Sequence, residues 1–351
     1  MGDGKKITII DVARRAGVSK GTVDRVLHDR GEVSARSAEK VRCAVRDLGY
    51  EPNLYASLLA TRKVHLIACL LPVSKAGEYW DKLKTGFEQG AAAVSTLGAE
   101  VRMFFYDQYD PESFAAACSE LLSSDPSGVV LPPLFKNDTL LFTERLHKPG
   151  IPYIYVDSRL EDEHYLAYFG MPTYRSGYLC AHLLTERCRD VKEVAVIRIT
   201  RDKTHRSDPT IDRRAGFCDY MREMFPECGI HNVFIDPNAP QTIESVLDGF
   251  FSAHPDMKFV VMFNSRIHLV APYLEAHPVE GRRVIGFDDL DLNMEALSSG
   301  AVTVLIAQHI ESQCINAVAT LVDHIVLHKE PARRDNYMHM DILTVLNQDN
   351  Y

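Results

Sequence analysis

The chain has 351 residues, 46% hydrophobic and 25% charged, an ordinary globular composition with apolar material for about two to three domains. No run of about 18 apolar residues occurs, and Met1-Gly2-Asp3-Gly4-Lys5-Lys6 leads into an amphipathic segment; neither a membrane span nor a secretory leader is expected, and the cytoplasm is the expected compartment. The net charge of −9 is unevenly spread: residues 1–63 carry 13 Lys and Arg against 8 Asp and Glu, the remainder 26 against 40. A basic head on an acidic body suits a polyanion partner at one end, a solvated basic helix face being the plainer alternative.

In chain order, Thr8 stands three residues before Asp11 as an N-cap, and Val12, Ala13 and Ala16 form a small apolar stripe that stops at Gly17. Ser19 caps a second short helix with Thr22, Val23, Val26 and Leu27 at helical spacing, and Ser34 caps a third with Val41, Ala44, Val45 and Leu48 on one face. Two short helices around a glycine turn, closed by a third, make a helix-turn-helix with a miniature core. Beyond Pro52-Asn53, the segment Leu54–Ala60 has helix-forming composition but is too short to persist alone, since isolated helices under about 12 residues are marginal in water.

The run from Ile7 to Ser19, followed by Thr22-Val23, Arg25-Val26-Leu27, Val33-Ser34 and Leu48-Gly49-Tyr50-Glu51-Pro52-Asn53, resembles the head of the lactose-repressor (LacI) family without a gap. The resemblance implies a dimer on palindromic double-stranded DNA, with the second helix in the major groove. Lys20 and Gly21 then face the base edges, Thr22, Arg25 and His28 continue the contact face, and Thr8, Ser19, Ser34 and Asn53 are also counted as DNA-binding. Arg25 suits guanine or phosphate, with an ion pair inside the head as the alternative. Gly21 has no side chain to read with, and Asp24 stands where the family often has serine; it reads cytosine or pairs with a neighbouring arginine. The resemblance also makes the segment after Pro52 a hinge helix, with Ala56 at the minor-groove floor and Leu59 as the apolar wedge; a plain linker helix is the alternative.

From His65 the pattern becomes apolar runs separated by amphipathic helices: 65–71, 101–106, 129–131, 153–156, 166–169, 194–199, 233–235, 259–263, 284–287 and 302–306. Such alternation means parallel sheets covered on both faces, and this length exceeds one core, so two α/β lobes are expected. The fold class is therefore an all-α helix-turn-helix head before a two-lobed α/β body that resembles type I periplasmic sugar-binding proteins. The implied division is 1–51 for the head, 52–63 for the hinge and 64–351 for the effector and dimerisation domain. Its lobes are expected at about 64–160 with 290–326 and 165–288 with 330–351, with crossings near 158–165, 288–291 and 325–336.

Ligands of open α/β sheets sit beyond the carboxyl ends of strands. Tyr79, Trp80, Phe135, Asp157, Arg159, Asn264, Asp288 and Gln308 follow strands, and Arg213, before Gly216-Phe217, matches the arginine that the family directs at its effector. Planar bidentate groups and aromatic faces suit a carbohydrate; a purine stacked on Trp80 and Phe135 is the alternative. Trp80 could instead be core, and Asn264 and Asp288 could be helix caps. Met171-Pro172-Thr173 lacks a polar contact often found there in such sensors.

No G-x-G-x-x-G, Walker, H-E-x-x-H or G-x-S-x-G motif occurs, so neither an enzyme nor a cofactor is expected. A secreted sugar receptor without gene regulation is the remaining alternative, opposed by the intact head. His324 and His328 have the spacing of a metal pair but lack a third ligand, and read as solvent-exposed helix histidines, with no metal expected. The eight scattered cysteines form no C-x-x-C and are expected to remain reduced as small buried hydrophobes.

Overall fold

The structure, a computed structural model, describes residues 7–27, 31, 33–50, 64–161, 163–200 and 209–350. The chain divides into two compact units, Met1–Lys63 and Val64–Tyr351.

The first unit contains α1 (Ile9–Ala16), α2 (Lys20–Leu27) and α3 (Ala35–Leu48). The Asp11 carboxylate accepts from the Thr8 amide at 3.0 Å and from its hydroxyl at 2.6 Å, anchoring the α1 start. Gly17 ends that helix at φ 66°, a left-handed turn that glycine adopts without a Cβ penalty. Val12, Ala13, Ala16, Val23, Val41, Ala44 and Tyr50 form one buried cluster. The apolar spacings thus converge on a common interior. The expected hinge and its residues Asn53, Ala56 and Leu59, as well as His28, lie outside the described residues.

The second unit holds two six-stranded sheets. The first runs β11 (Asp335–Tyr337), β5 (Ala167–Gly170), β4 (Tyr153–Asp157), β3 (Gly128–Leu131), β1 (His65–Pro72), β2 (Ala99–Tyr106). The second runs β12 (Asp341–Leu343), β10 (Val304–Ala307), β9 (Arg283–Phe287), β8 (Phe259–Met262), β6 (Glu193–Ile199), β7 (Gly229–Ile235). Among the described residues only the β10–β12 pairing is antiparallel. All ten apolar runs read from the sequence are strands; β11 and β12 are added by pairing.

Helices α4 (Tyr79–Val94), α5 (Pro111–Ser123), α6 (Lys136–His147) and α12 (Ile310–Leu327) cover the first sheet. The second is covered by α7 (Thr173–Thr185), α8 (Pro209–Met224), α9 (Ile243–Ala253), α10 (Ala271–Ala276) and α11 (Asp291–Ser298). Close helix pairs depend on missing side chains. A Cβ on Gly86 of α4 would sit 2.7 Å from the Glu311 Cα of α12, and one on Gly177 of α7 would overlap the Arg213 carbonyl oxygen of α8.

The sheets change partners at places other than those expected. β5 pairs with β4 in the first sheet, Ile154 opposite Ala167, so the chain first crosses after Gly170 and not near 158–165. β10 pairs with β9 in the second, which moves the second crossing from 288–291 to Gln308-His309 and places α11 in the second lobe. The third lies between Tyr337 and Asp341, beyond 325–336. The reason is hydrogen bonding: a four-residue apolar strand belongs to whichever sheet offers it an edge. All eight cysteines are free, but only Cys69, Cys118, Cys180 and Cys314 are buried; Cys43 is exposed and the rest half-buried, contrary to a uniform core role. Among the described residues no helix is long and apolar enough to cross a membrane.

Candidate functional site

The carboxyl ends of both sheets face a cavity of about 740 Å³. Seven of the nine expected residues line it: Tyr79, Trp80, Asp157, Arg213, Asn264, Asp288 and Gln308. Asp157 ends β4 and Asp288 directly follows β9, the fourth strands from the β2 and β7 edges of their sheets. Both adopt left-handed backbone, φ 67° and 69°, which costs about 1 kcal/mol for a non-glycine residue and turns each chain sharply across its strand end.

A hydrogen-bonded chain connects these groups. The Tyr79 hydroxyl donates to Asp157. Gln308 Nε2 donates to Asp288 Oδ1 at 2.7 Å and reaches the Tyr79 hydroxyl at 3.3 Å. Arg213 donates to the Phe263 carbonyl at 2.8 Å and to Gln308 Oε1 at 3.5 Å, with its guanidinium 4.5 Å from the Phe287 ring centre. Its Nε is buried without a partner in the protein. A buried donor at a cavity wall is a natural point of contact for a ligand oxygen. Burial, outweighing the attraction of Arg213 and the Gln308 hydrogen bond, pushes the Asp288 carboxyl up to about 7. The Tyr79 hydroxyl is also pushed up, first by burial and then by Asp157.

Trp80 is half-buried against the cavity, its indole N–H donating to Gln108 Oε1 at 3.2 Å. Asn264 both lines the cavity and caps the next turn, accepting from the Arg266 amide at 3.0 Å. Two expectations are corrected. Phe135 is 2% exposed and packs on Tyr106 and Phe114, because the chain after β3 turns its ring into the core; it cannot stack on a ligand beside Trp80. Arg159 does not line the cavity: the Asp335 carboxylate at 3.6 Å and the Tyr168 ring hold its guanidinium elsewhere.

Sequence reasoning missed the supports. Asn293 is fully buried and donates to the carbonyls of Ser265, Phe287 and Asp288. Gln313 donates to the Gln308 carbonyl and accepts from the Asp157 amide. Each is an amide side chain on an otherwise apolar helix face, a detectable signal. Lys82 of α4 binds Asp289 after β9 at 2.7 Å, tying one lobe to the other. His324 is half-buried and lies 3.5 Å from Glu330, so only His328 fits the exposed reading.

On the head, Lys20, Gly21 and Arg25 share the exposed side of α2. Arg25 Nε donates to the Gly21 carbonyl at 3.1 Å rather than to a carboxylate. Ser19 accepts from the Thr22 amide at 3.1 Å, and Ser34 from the Ser37 amide at 3.3 Å. Thr8 is engaged with Asp11, and Asp24 is half-buried on α2.

Fold and cleft together define a two-lobed ligand-binding protein of the periplasmic type carrying a helix-turn-helix unit. Residues 67–330 match the periplasmic binding protein domain, and residues 8–53 match bacterial regulatory proteins of the lacI family. A crystal structure of a LacI transcriptional regulator from Bacteroides fragilis is 35% identical, with a TM-score of 0.78, over 82% of this chain and 100% of that one. The chain belongs to the LacI family. The sucrose operon repressor of Pediococcus pentosaceus is 25% identical over 79% of this chain and 81% of that protein. The transcriptional regulator DegA of Bacillus subtilis is 28% identical over 148 residues, 42% of each chain, so this match spans less than half of that relative.

Proposed function

We propose that this chain is a sequence-specific DNA-binding transcriptional repressor, acting in the cytoplasm as a homodimer on a palindromic operator and modulated by a hydroxyl-rich small molecule, a monosaccharide or a close relative. The observation that carries the reading is the convergence of Asp157, Asp288, Arg213, Asn264, Gln308 and Trp80 on one cavity in a chain that also has a helix-turn-helix. Planar donors and acceptors grip vicinal hydroxyls in pairs, and the Trp80 face takes the C–H side of a sugar ring. Burial of Phe135 removes one wall of the purine-stacking alternative.

On the DNA side Lys20 and Arg25 supply charge at the groove, with Thr8, Ser19, Gly21, Thr22, Asp24, His28, Ser34 and Asn53 around them and Ala56 and Leu59 in the minor groove. The effector acts through its unequal affinity for the DNA-competent and DNA-incompetent arrangements. The test is a gel shift of the full chain on a palindromic DNA library, repeated with Lys20→Ala and with a chain lacking residues 1–62. The full chain should select a palindrome, Lys20→Ala should weaken that selection about tenfold or more, and the shortened chain should not bind. DNA affinity that survives removal of the head sinks the regulator reading. A thermal-shift screen of sugars, sugar acids, sugar phosphates and nucleobases against the full chain identifies the effector, and silence from every carbohydrate sinks that assignment.

A further inference from the structure

At the end of the second sheet opposite the cavity, three ligating side chains meet. Glu193 opens β6, His231 lies in the edge strand β7, and His254 caps the C-terminus of α9. The register puts Glu193 beside Gly229 and Ala195 beside His231. Glu193 and His231 are therefore two places apart on one face of the sheet. Val233 and Ile235, on the same face of β7, pack in one core with Leu247 and Phe251 of α9, which brings His254 to the same spot.

We propose that Glu193, His231 and His254 bind one divalent transition-metal ion of the zinc class. His231 Nε2 is 3.0 Å and His254 Nδ1 2.8 Å from the same Glu193 Oε2, and the three ligand atoms lie within 4.8 Å of one another. A tetrahedral zinc ion with bonds of about 2.0–2.2 Å holds its ligand atoms about 3.3 Å apart, so small rotations of these side chains admit the ion. Two imidazoles and a carboxylate are the borderline donor set that zinc prefers, whereas calcium and magnesium seek oxygen alone. Phe250 stacks on His254 with centroids 4.7 Å apart and fixes its ring. A Cβ on Gly229 would sit 3.2 Å from His231 Nε2, so this glycine leaves that nitrogen uncovered. The side chains of Glu193, His231 and His254 are 41%, 34% and 25% exposed, which gives the ion an entry path and water for its fourth position. The ion would clamp the edge strand and the end of α9 to β6.

The test uses the full chain, stripped with EDTA and titrated with ZnCl2 against a chromophoric competitor. The wild type should take up one equivalent at micromolar zinc that His231→Ala and His254→Ala do not, Glu193→Gln should bind at least tenfold more weakly, and zinc should raise the melting midpoint of the wild type alone. With 12 of the chain's 14 histidines and an exposed Cys43 elsewhere, the difference between proteins decides the matter. Equal stoichiometry and affinity in all four, or no saturable binding by the wild type, overturns the proposal. Should a histidine variant fail to fold, Glu193→Gln and X-ray absorption of the loaded wild type still decide: two imidazoles in a nitrogen and oxygen shell support the site, and a sulfur shell or one without imidazole overturns it.

Discussion

Replacing Asp288 with asparagine should stabilise the chain at alkaline pH while leaving its stability nearly unchanged in acid. Asp288 is 1% exposed, and burial moves its carboxyl from an ordinary 3.8 to about 7. The folded chain thus holds this proton more tightly than the unfolded one, and between those values unfolding releases it. Stability from this group falls as pH rises through that window and is level on either side. At about 1.4 kcal/mol per pH unit, the ionised carboxylate costs the folded chain about 4 kcal/mol above neutrality. Asparagine matches the shape, tolerates the left-handed backbone at φ 69°, and retains an oxygen for the Gln308 donor. Urea unfolding of both proteins near pH 5 and near pH 8 should give a stability difference about 3 kcal/mol larger at the higher pH. The same difference at both pH values, or a less stable variant near pH 8, would refute the reasoning.

Gly177→Ala forces α7 and α8 apart, because the new methyl overlaps the Arg213 carbonyl; overpacking of this kind costs about 3 kcal/mol, and calorimetry should record a matching fall in melting temperature. Ser34→Ala removes the cap that accepts from the Ser37 amide and should lower head stability by about 1 kcal/mol, visible as faster amide exchange in the first turn of α3. Gln308→Ala strips Asp288 and Tyr79 of their shared partner and should weaken effector binding by about tenfold or more in titration calorimetry, since a buried group left unpaired costs about 1–3 kcal/mol.

The strands of the body were legible because continuous apolar runs bounded by polar loops have few other homes. Which sheet each joined was not. Ala167–Gly170 and Val304–Ala307 are equally apolar, and only edge pairing distinguishes their hosts. β11 and β12 are short and polar and take their strand form from neighbours already in place. In the cleft, the strand-end rule found seven lining residues but carries no information on which way a side chain leaves a turn, and so Phe135 and Arg159 were misplaced. Asn293 and Gln313 escaped because they act on backbone carbonyls and amides, which a side-chain motif does not display.

Gln308 occupies the covalent crossing between the lobes while touching Tyr79 from one and Asp288 from the other. With the Lys82–Asp289 pair, it links the two sides of the cleft. A signal can be no larger than the shift in population that a ligand produces, so a cross-lobe contact that favours closure by itself narrows the response left to the proposed effector. Weakening the Lys82 pair should therefore widen the span between the resting and saturated states while demanding more effector to cross it. In this architecture sensitivity and dynamic range are opposed at the level of individual side chains.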